Sequence, residues 1–391
     1  MPSNQKDYKR KKKKHNSEYI KRIIWIVIAV VAIILIIMKV VEVDFNSVKR
    51  RFVDDNGKVS IDLETDVNAY PFQLDSSSNI RMVYQNDKLV VLTSNSCNVL
   101  NPKDAKPLNH FNHGYSNPIM KNAGNYVCTF DQGGLRLRLD NLKSKVYEQP
   151  IDNTLLTADV SESGTVIYAT RSDKSKCSLY VVNKSLKKLI NLDINSGYIV
   201  SVAIDSSGQK CAYAAVNTKN AKLVTTVYTI NVGDKKERAS FEYEGSNILD
   251  MRYCNNDLYI VGDDFVNTVT SQKRKHEAFK KGSANTVCFT YTKDGELLYV
   301  YSDYSSASEN HLVNVTVGGR VRKKLELKQK PKSITCISNE ICVLYSDKIK
   351  IYSLTSGDEK ESFTCDNSVN YAYKLSTKVF VARSQLIDVI E

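Results

Sequence analysis

The sequence is poor in tryptophan and proline. Its 391 residues include one Trp and seven Pro, against 23 Tyr. Proline is confined to strand edges because it cannot donate a ladder hydrogen bond, whereas tyrosine and β-branched residues are enriched in strands. The composition therefore favours a β-rich chain. The single Trp25 excludes repeat families whose signature needs a tryptophan in every unit.

Motifs of common catalytic and nucleotide sites are also missing. The sequence has no G-x-x-x-x-G-K-[S/T] loop, no G-x-S-x-G elbow and no H-E-x-x-H motif. Ser185 and Lys188 have the S-x-x-K spacing of acyl-transfer enzymes without the companion motifs. His110 and His113 lack the third ligand that a zinc site needs. We therefore predict no catalytic, cofactor-binding or metal-binding residue and no cofactor.

The nine cysteines include no C-x-x-C pair, and their number is odd. Five lie inside apolar, strand-like segments: Cys128, Cys211, Cys288, Cys336 and Cys342. We interpret most of the cysteines as reduced core residues, because free cysteine is among the most buried residue types. The best disulfide candidate is Cys336–Cys342, across one hairpin.

Positive charge is concentrated at the N-terminus. The net charge is +12, and residues 1–22 contribute nine Lys or Arg and two acidic residues, a net +7. The remaining chain is therefore close to neutral, at +5. A run such as Lys9–Lys14 is typical of a solvated tail. No nucleic-acid partner is expected.

One segment is apolar for long enough to cross a membrane. Ile23–Met38 has no charge, Pro or Gly, and with Val40 and Val41 it reaches the ~20 residues that a ~30 Å hydrocarbon core requires. The sequence predicts a transmembrane helix over residues 23–41. A cleaved signal peptide is the alternative, but the run exceeds the roughly 7–15 residues of a signal-peptide core and no A-x-A site follows.

The flanking charges predict the orientation of this helix. Cations precede it and few follow it, so the N-terminus is expected in the cytoplasm and the C-terminal domain outside the cell. This gives a single-pass signal-anchor protein of the cell membrane. Its predicted parts are a basic cytoplasmic tail (1–22), the helix (23–41), a juxtamembrane linker (42–56) and an extracytoplasmic domain (57–391).

The extracytoplasmic domain repeats a polar hairpin made of an alternating apolar strand, a turn and a basic strand. The copies are residues 97–111, 135–149, 177–192, 226–241, 311–327 and 349–363, with a weaker one at 265–279. A more apolar hairpin with a Gly, Asp, Asn or Ser turn precedes each polar one. The apolar hairpins begin near residues 80, 118, 155, 199, 248, 287, 334 and 371.

These starts are about 36–49 residues apart, the period of four-stranded propeller blades. The fold class is therefore all-β, a β-propeller of about eight four-stranded blades. Seven blades is the alternative, if the weak unit 248–280 is irregular. The last unit has room for only one strand after Ala382. We expect the segment Gly57–Thr65 to supply its missing outer strand and close the ring.

Taken together, the Lys9–Lys14 tail, the apolar segment Ile23–Met38 and the Tyr-rich, Trp-free repeats resemble an uncharacterised family of single-pass, membrane-anchored proteins from Gram-positive bacteria. It is family 5711 of domains of unknown function. The resemblance implies a WD40-like propeller outside the membrane, although the Trp-Asp pair of WD40 strands is absent. It carries no active site to transfer.

Three functions remain open. The first is a non-catalytic binding or scaffold module that presents propeller loops to an envelope protein or a cell-wall ligand. The second is an extracytoplasmic hydrolase or lyase with its site at the propeller channel, which rests on fold analogy. The third is a signalling receptor, for which the tail 1–22 is too short to hold an output domain.

Overall fold

The computed structural model describes residues 69–76, 80–271, 273–279, 282, 284–303, 309–316 and 318–390. These residues lie in one compact unit, Leu63–Glu391. They form eight sheets of four antiparallel strands each. In seven of the sheets the strands are adjacent in the order of the sequence. We call the sheets blades 1 to 8, in chain order from the sheet that begins at Arg81.

Each blade has an inner, a second, a third and an outer strand. The inner strands are β2 (Arg81–Gln85), β6 (Pro118–Ala123), β10 (Leu155–Val160), β14 (Tyr198–Ile204), β18 (Ile248–Cys254), β22 (Ala284–Tyr291), β26 (Ser333–Ile337) and β30 (Val369–Leu375). The second strands are β3 (Lys88–Leu92), β7 (Tyr126–Asp131), β11 (Val166–Arg171), β15 (Lys210–Lys219), β19 (Asp257–Gly262), β23 (Leu297–Asp303), β27 (Glu340–Leu344) and β31 (Lys378–Arg383).

The third strands are β4 (Ser96–Leu100), β8 (Arg136–Asn141), β12 (Cys177–Val182), β16 (Lys222–Asn231), β20 (Val266–Val269), β24 (Asn310–Val315), β28 (Lys348–Ser353) and β32 (Leu386–Ile390). The outer strands are β5 (Pro107–Asn112), β9 (Lys145–Pro150), β13 (Lys188–Ile194), β17 (Lys236–Glu244), β21 (Lys275–Phe279), β25 (Val321–Leu327), β29 (Glu359–Thr364) and β1 (Phe72–Gln73).

Strand burial follows the polarity of the sequence. Second strands are buried on both faces, as β3 is from Leu89 to Leu92, because a neighbouring blade packs on each side. Outer strands such as β29 alternate between exposed and half-buried residues. This confirms the predicted order, in which an apolar hairpin lies inside and a polar hairpin outside.

The hydrophobic core consists of eight layers, each between two neighbouring blades. Ile167 of blade 3 packs with Ile204 of blade 4 in one layer. Phe380 of blade 8 packs with Met82 of blade 1 in another, which closes the ring. The expected eight blades are therefore confirmed. The seven-blade alternative is wrong, because residues 248–279 form a complete blade of strands β18 to β21.

An N-terminal strand closes the ring, as expected, but the strand is a different one. In the part of the chain that the structure describes, β1 pairs with β32 through Phe72↔Ile387 and Gln73↔Leu386. The predicted closing segment Gly57–Thr65 lies outside the described residues, as does the predicted transmembrane helix 23–41. No helix among the residues described is long and apolar enough to cross a membrane.

All nine cysteines are free thiols, and each one packs in an apolar layer between two blades. The disulfide candidate Cys336–Cys342 is wrong. Cys342 pairs with Thr335 across the hairpin, so Cys336 points to the opposite face of the sheet. Cys336 packs in the layer toward blade 6 and Cys342 in the layer toward blade 8. Burial raises the pKa of both thiols to about 12.

Candidate functional site

The antiparallel order gives the propeller two different faces. We call the face where each inner strand begins the upper face. It also carries the turns between second and third strands. The opposite, lower face carries the turns between inner and second strands and those between third and outer strands. The inner strands surround a central channel between the two faces.

An ion pair crosses this channel. Lys121 of β6 in blade 2 places Nζ 2.8 Å from Oδ1 of Asp250 on β18 in blade 5. The two blades are not neighbours, so the contact bridges the axis of the ring. Tyr291 of β22 donates its hydroxyl to Oδ2 of the same Asp250 at 3.1 Å. The Asp250 carboxylate raises the pKa of Lys121.

A second carboxylate lies near this pair. Asp159 of β10 accepts a hydrogen bond from the backbone N–H of Ile204 at 3.1 Å. Burial raises the pKa of Asp159 to about 6, although the charges of Lys121 and Arg252 oppose the shift. The Arg252 guanidinium lies 4.9 Å from the centre of the Tyr291 ring. The channel therefore contains two carboxylates, of which Asp250 is paired with Lys121.

The channel opens on the upper face into a cavity of about 440 Å³. Blades 1, 2, 7 and 8 line it, through Arg81, Ile119, Ser333 and Tyr371 among others. Lys332 at the same rim donates to the carbonyl oxygen of Asn367 at 2.8 Å. This half of the opening is polar and partly cationic.

The upper face also carries exposed apolar side chains. Five exposed large apolar side chains lie at the upper face, on blades 2, 4 and 5. They are Leu135 (50% exposed), Tyr198 (54%), Val200 (44%), Leu223 (40%) and Leu249 (50%). Tyr198, Val200 and Leu249 lie near the starts of inner strands beside the channel. We call these three residues the apolar arc.

A long hairpin stands beside the apolar arc. Strands β15 and β16 of blade 4 have ten residues each and pair up to Lys219↔Lys222 at the tip. Most other second and third strands have four to seven residues. Leu223 lies near this tip. Blade 4 therefore extends the upper face beside its exposed apolar residues.

One group of possible metal ligands is present among the described residues. Asp303, Glu309 and His311 on blade 6 each offer one ligand atom, and these atoms lie within 4.8 Å of one another. Three such ligands are the protein set of an open zinc site. In this structure Nε2 of His311 lies 3.2 Å from Oδ2 of Asp303, so these two groups pair directly. The spacing of these three residues in the sequence does not indicate a site, because the pairing of β23 with β24 brings them together.

The structure gives local contacts for the residues considered in the sequence. His110 on β5 hydrogen-bonds Asn98 at 2.8 Å, while His113 stacks on Tyr115. Neither belongs to a group of metal ligands in the described part of the chain. Lys188 lies 5.5 Å from the ring centre of Tyr180, and the backbone N–H of Ser185 donates to Asn183. Ser185 and Lys188 therefore lie in the outer hairpin of blade 3.

Solved structures of similar fold are β-propellers. Sqt1 from Saccharomyces cerevisiae matches with a TM-score of 0.54 and 11% identity, over 82% of this chain and 98% of that one. The C-terminal WD40 domain of Sif2 matches with a TM-score of 0.55 and 12% identity, over 82% and 97%. The propeller domain of Cps50 (Swd1) from Myceliophteria thermophila matches with a TM-score of 0.51 and 12% identity, over 74% and 96%. At these identities the likeness shows the fold alone.

Sequence comparison gives a family rather than an activity. No curated protein sequence matches this chain. One family profile, described as a family of unknown function, matches residues 63–391. The match includes every blade of the propeller and excludes the apolar segment Ile23–Met38.

Proposed function

We propose a function for this chain, which belongs to the family of unknown function DUF5711. It is a membrane-anchored, extracytoplasmic β-propeller that binds an envelope protein or a cell-wall ligand without catalysing a reaction. The family and the fold leave the ligand open, so the proposal rests on the sequence before the propeller and on the upper face.

The anchor is supported by the sequence alone. Ile23–Met38 is apolar and uncharged, and the cations of residues 1–22 precede it. A segment of this length and flank is typical of a helix that spans the bilayer with its N-terminus in the cytoplasm. The propeller follows the segment in the chain, which supports a location outside the cell.

The binding role is carried by one observation, the grouping of exposed apolar side chains on the upper face. Five of the eight exposed large apolar residues of the described chain lie there, three of them in the apolar arc. Soluble proteins rarely group such residues without a partner, and protein interfaces have an apolar centre with a polar rim. The arc beside the polar opening at Arg81 and Lys332 has this composition. The WD40-like neighbours are consistent with a protein-binding scaffold.

The binding proposal is tested by capture from intact cells. Full-length chain with a tag after Glu391 is crosslinked, purified and compared with the triple variant Tyr198→Ser, Val200→Ser, Leu249→Ser. The matched control is Leu108→Ser, Leu186→Ser, Val321→Ser, which removes three exposed apolar residues from the lower side of outer hairpins. We expect a stoichiometric partner that the arc variant loses and the control retains. Equal capture by both variants would contradict the proposal.

The location is tested separately. We expect an impermeant reagent to label the tag after Glu391 in intact cells. We also expect the chain to resist alkaline extraction from the membrane. Labelling only after the cells are opened would place the propeller on the other side of the membrane and overturn the proposed orientation.

A second candidate is a hydrolase or lyase with its site in the channel. The observation that favours it is Asp159, a half-buried carboxyl whose pKa of about 6 suits an acid or base near neutral pH. Asp250 is already engaged by Lys121 and Tyr291, which leaves one carboxyl for chemistry. The test is turnover of a cell-wall polymer by the purified chain. Turnover that is lost in Asp159→Asn and kept in the triple variant of the apolar arc would establish this candidate in place of the first.

A further inference from the structure

The strongest charge asymmetry of the propeller lies at the rim of the lower face. We consider the turns between third and outer strands in blades 1 to 6, together with the first residue of each outer strand. These segments contain thirteen Lys or Arg and two Asp. Their net charge is therefore +11. The cations, which we call the cationic rim, are Lys103, Lys106, Lys143, Lys145, Lys184, Lys187, Lys188, Lys235, Lys236, Lys273, Arg274, Lys275 and Arg320.

The upper face has no such excess. The matching segments of the upper face are the turns between second and third strands of the same six blades, together with the first residue of each third strand. They contain four Lys or Arg and four Asp or Glu. Their net charge is zero. The turns of the lower face that are nearer the axis carry acidic residues, such as Asp87, Glu162 and Asp294. The excess of positive charge therefore belongs to one rim of one face.

Three cations of the rim are open to an external partner. Lys184, Lys187 and Lys273 are exposed and form no ion pair with any residue that the structure describes. Leu186, between two of these lysines, is 41% exposed. Six successive blades repeat the arrangement, which makes a wide arc of positive charge suited to an extended anionic surface.

The first described segment of the chain runs from the lower face to the upper face. Tyr70 donates its hydroxyl to the carbonyl oxygen of Pro102, 3.1 Å away, in the lower-face turn of blade 1. Four residues later, the backbone N–H of Leu74 donates to the carbonyl oxygen of Gln385, 2.7 Å away, in the upper-face turn of blade 8. The direction from Tyr70 to Leu74 is therefore from the lower face to the upper face. The apolar segment Ile23–Met38 precedes this point in the sequence.

We propose that the cationic rim binds the anionic phospholipid surface of the membrane. The inference rests on the proposed anchor, and two observations support it: the charge of the rim and the direction of the chain from Tyr70 to Leu74. Lys and Arg near an anionic leaflet are attracted to its headgroups over about a Debye length. Binding through the lower face leaves the apolar arc directed away from the lipid, where a partner can reach it.

The test uses the full chain reconstituted into vesicles of phosphatidylcholine, with or without phosphatidylglycerol. A photocrosslinking benzoylphenylalanine replaces Leu186 at the lower rim in one sample and Leu135 at the upper face in the other, two exposed leucines on turns. We expect lipid adducts from position 186 only. They should depend on phosphatidylglycerol and be lost in the charge variant Lys184→Glu, Lys187→Glu.

The matched control for charge is Lys174→Glu, Lys176→Glu on the upper-face turn of the same blade, which is expected to keep the adducts. Three results would each overturn the inference. The first is an adduct from position 135, and the second is an equal yield of adducts on phosphatidylcholine alone. The third is displacement of the lipid by soluble polyphosphate at equal phosphate concentration. Alkaline extraction of the same vesicles tests separately whether the chain is anchored in the bilayer. A chain that is extracted but still forms lipid adducts at position 186 would overturn the anchor and keep the lipid contact.

Discussion

At the scale of single residues, the channel is the part of the molecule that the sequence did not reveal. Lys121 and Asp250 are far apart in the chain and lie on blades 2 and 5. Nothing in either local sequence indicates a partner, because only the closure of the ring brings the two strands to one axis. Charges that are partly withdrawn from water gain from pairing, and removal of one partner leaves the other uncompensated.

The Lys121–Asp250 pair makes the first prediction. Lys121→Met should lower the free energy of unfolding by about 1–2 kcal/mol, less than for a fully buried pair because the Lys121 side chain is 33% exposed. In a double-mutant cycle with Asp250→Asn, we expect a coupling of at least about 0.5 kcal/mol in denaturant unfolding.

The matched control is Lys219–Glu242, an exposed pair on blade 4. Its cycle should give a coupling near zero, since exposed ion pairs contribute little. Equal couplings for the two pairs would show that the channel pair has no special role in stability.

Asp159 makes the second prediction, and its sign follows from the direction of the shift. Its pKa in the folded chain is about 6, above the ordinary value of 3.8, so the folded state holds the proton more tightly than the unfolded state does. Ionisation of Asp159 therefore costs stability, a cost that develops as the pH rises from about 4 to about 6. Relative to Asp159→Asn, the unaltered chain should lose up to about 3 kcal/mol between pH 4 and pH 7.

Carbon NMR of the Asp159 carboxyl provides the direct measurement. The titration midpoint should lie near pH 6, and the signal is assigned by its loss in Asp159→Asn. A midpoint near 4 together with parallel stability curves for the two chains would contradict the environment described for this residue.

At the scale of elements, the sequence predicts the blades well and the closing strand badly. Alternation over four to seven residues identifies a half-buried strand, and the predicted apolar hairpins start within about three residues of β2 to β30. The closing strand β1 has two residues, Phe72 and Gln73, which is too short for any periodicity. The pairing proposed for Cys336 and Cys342 failed for a related reason, since a shift of one residue turns a side chain to the other face of a strand.

The closing element makes the third prediction. Tyr70, just before β1, packs on Phe380 with ring centres 5.5 Å apart and donates its hydroxyl to Pro102. Tyr70→Ala should lower the free energy of unfolding by about 3–5 kcal/mol, the cost of removing a large buried ring. Tyr70→Phe keeps the ring and should cost only about 1 kcal/mol, for one hydrogen bond.

Denaturant unfolding checks both variants, and hydrogen exchange at β32 locates the change. Exchange of the Ile387 amide should quicken in Tyr70→Ala, because β1 is the outer neighbour of β32. Unchanged exchange at β32 would mean that the N-terminal segment does not hold the ring closed.

At the scale of the whole molecule, the two faces have different characters. The upper face presents the apolar arc beside the channel, and the lower face presents the cationic rim. The sequence shows that outer hairpins are basic and that some strand starts are apolar. It does not show that these features fall on opposite faces, which requires the order of the strands in each blade and the closure of the ring. The proposed role, a tethered propeller that binds its partner away from the membrane, follows from this separation.

The most direct test of that role is site-specific photocrosslinking in intact cells. Benzoylphenylalanine replaces Leu249 in the apolar arc or, as a control, Leu108 on an outer strand, both exposed. We expect one discrete protein or cell-wall adduct from position 249 and none from position 108. An adduct from position 108 alone, or the same adducts from both positions, would contradict the claim that the upper face is the binding surface.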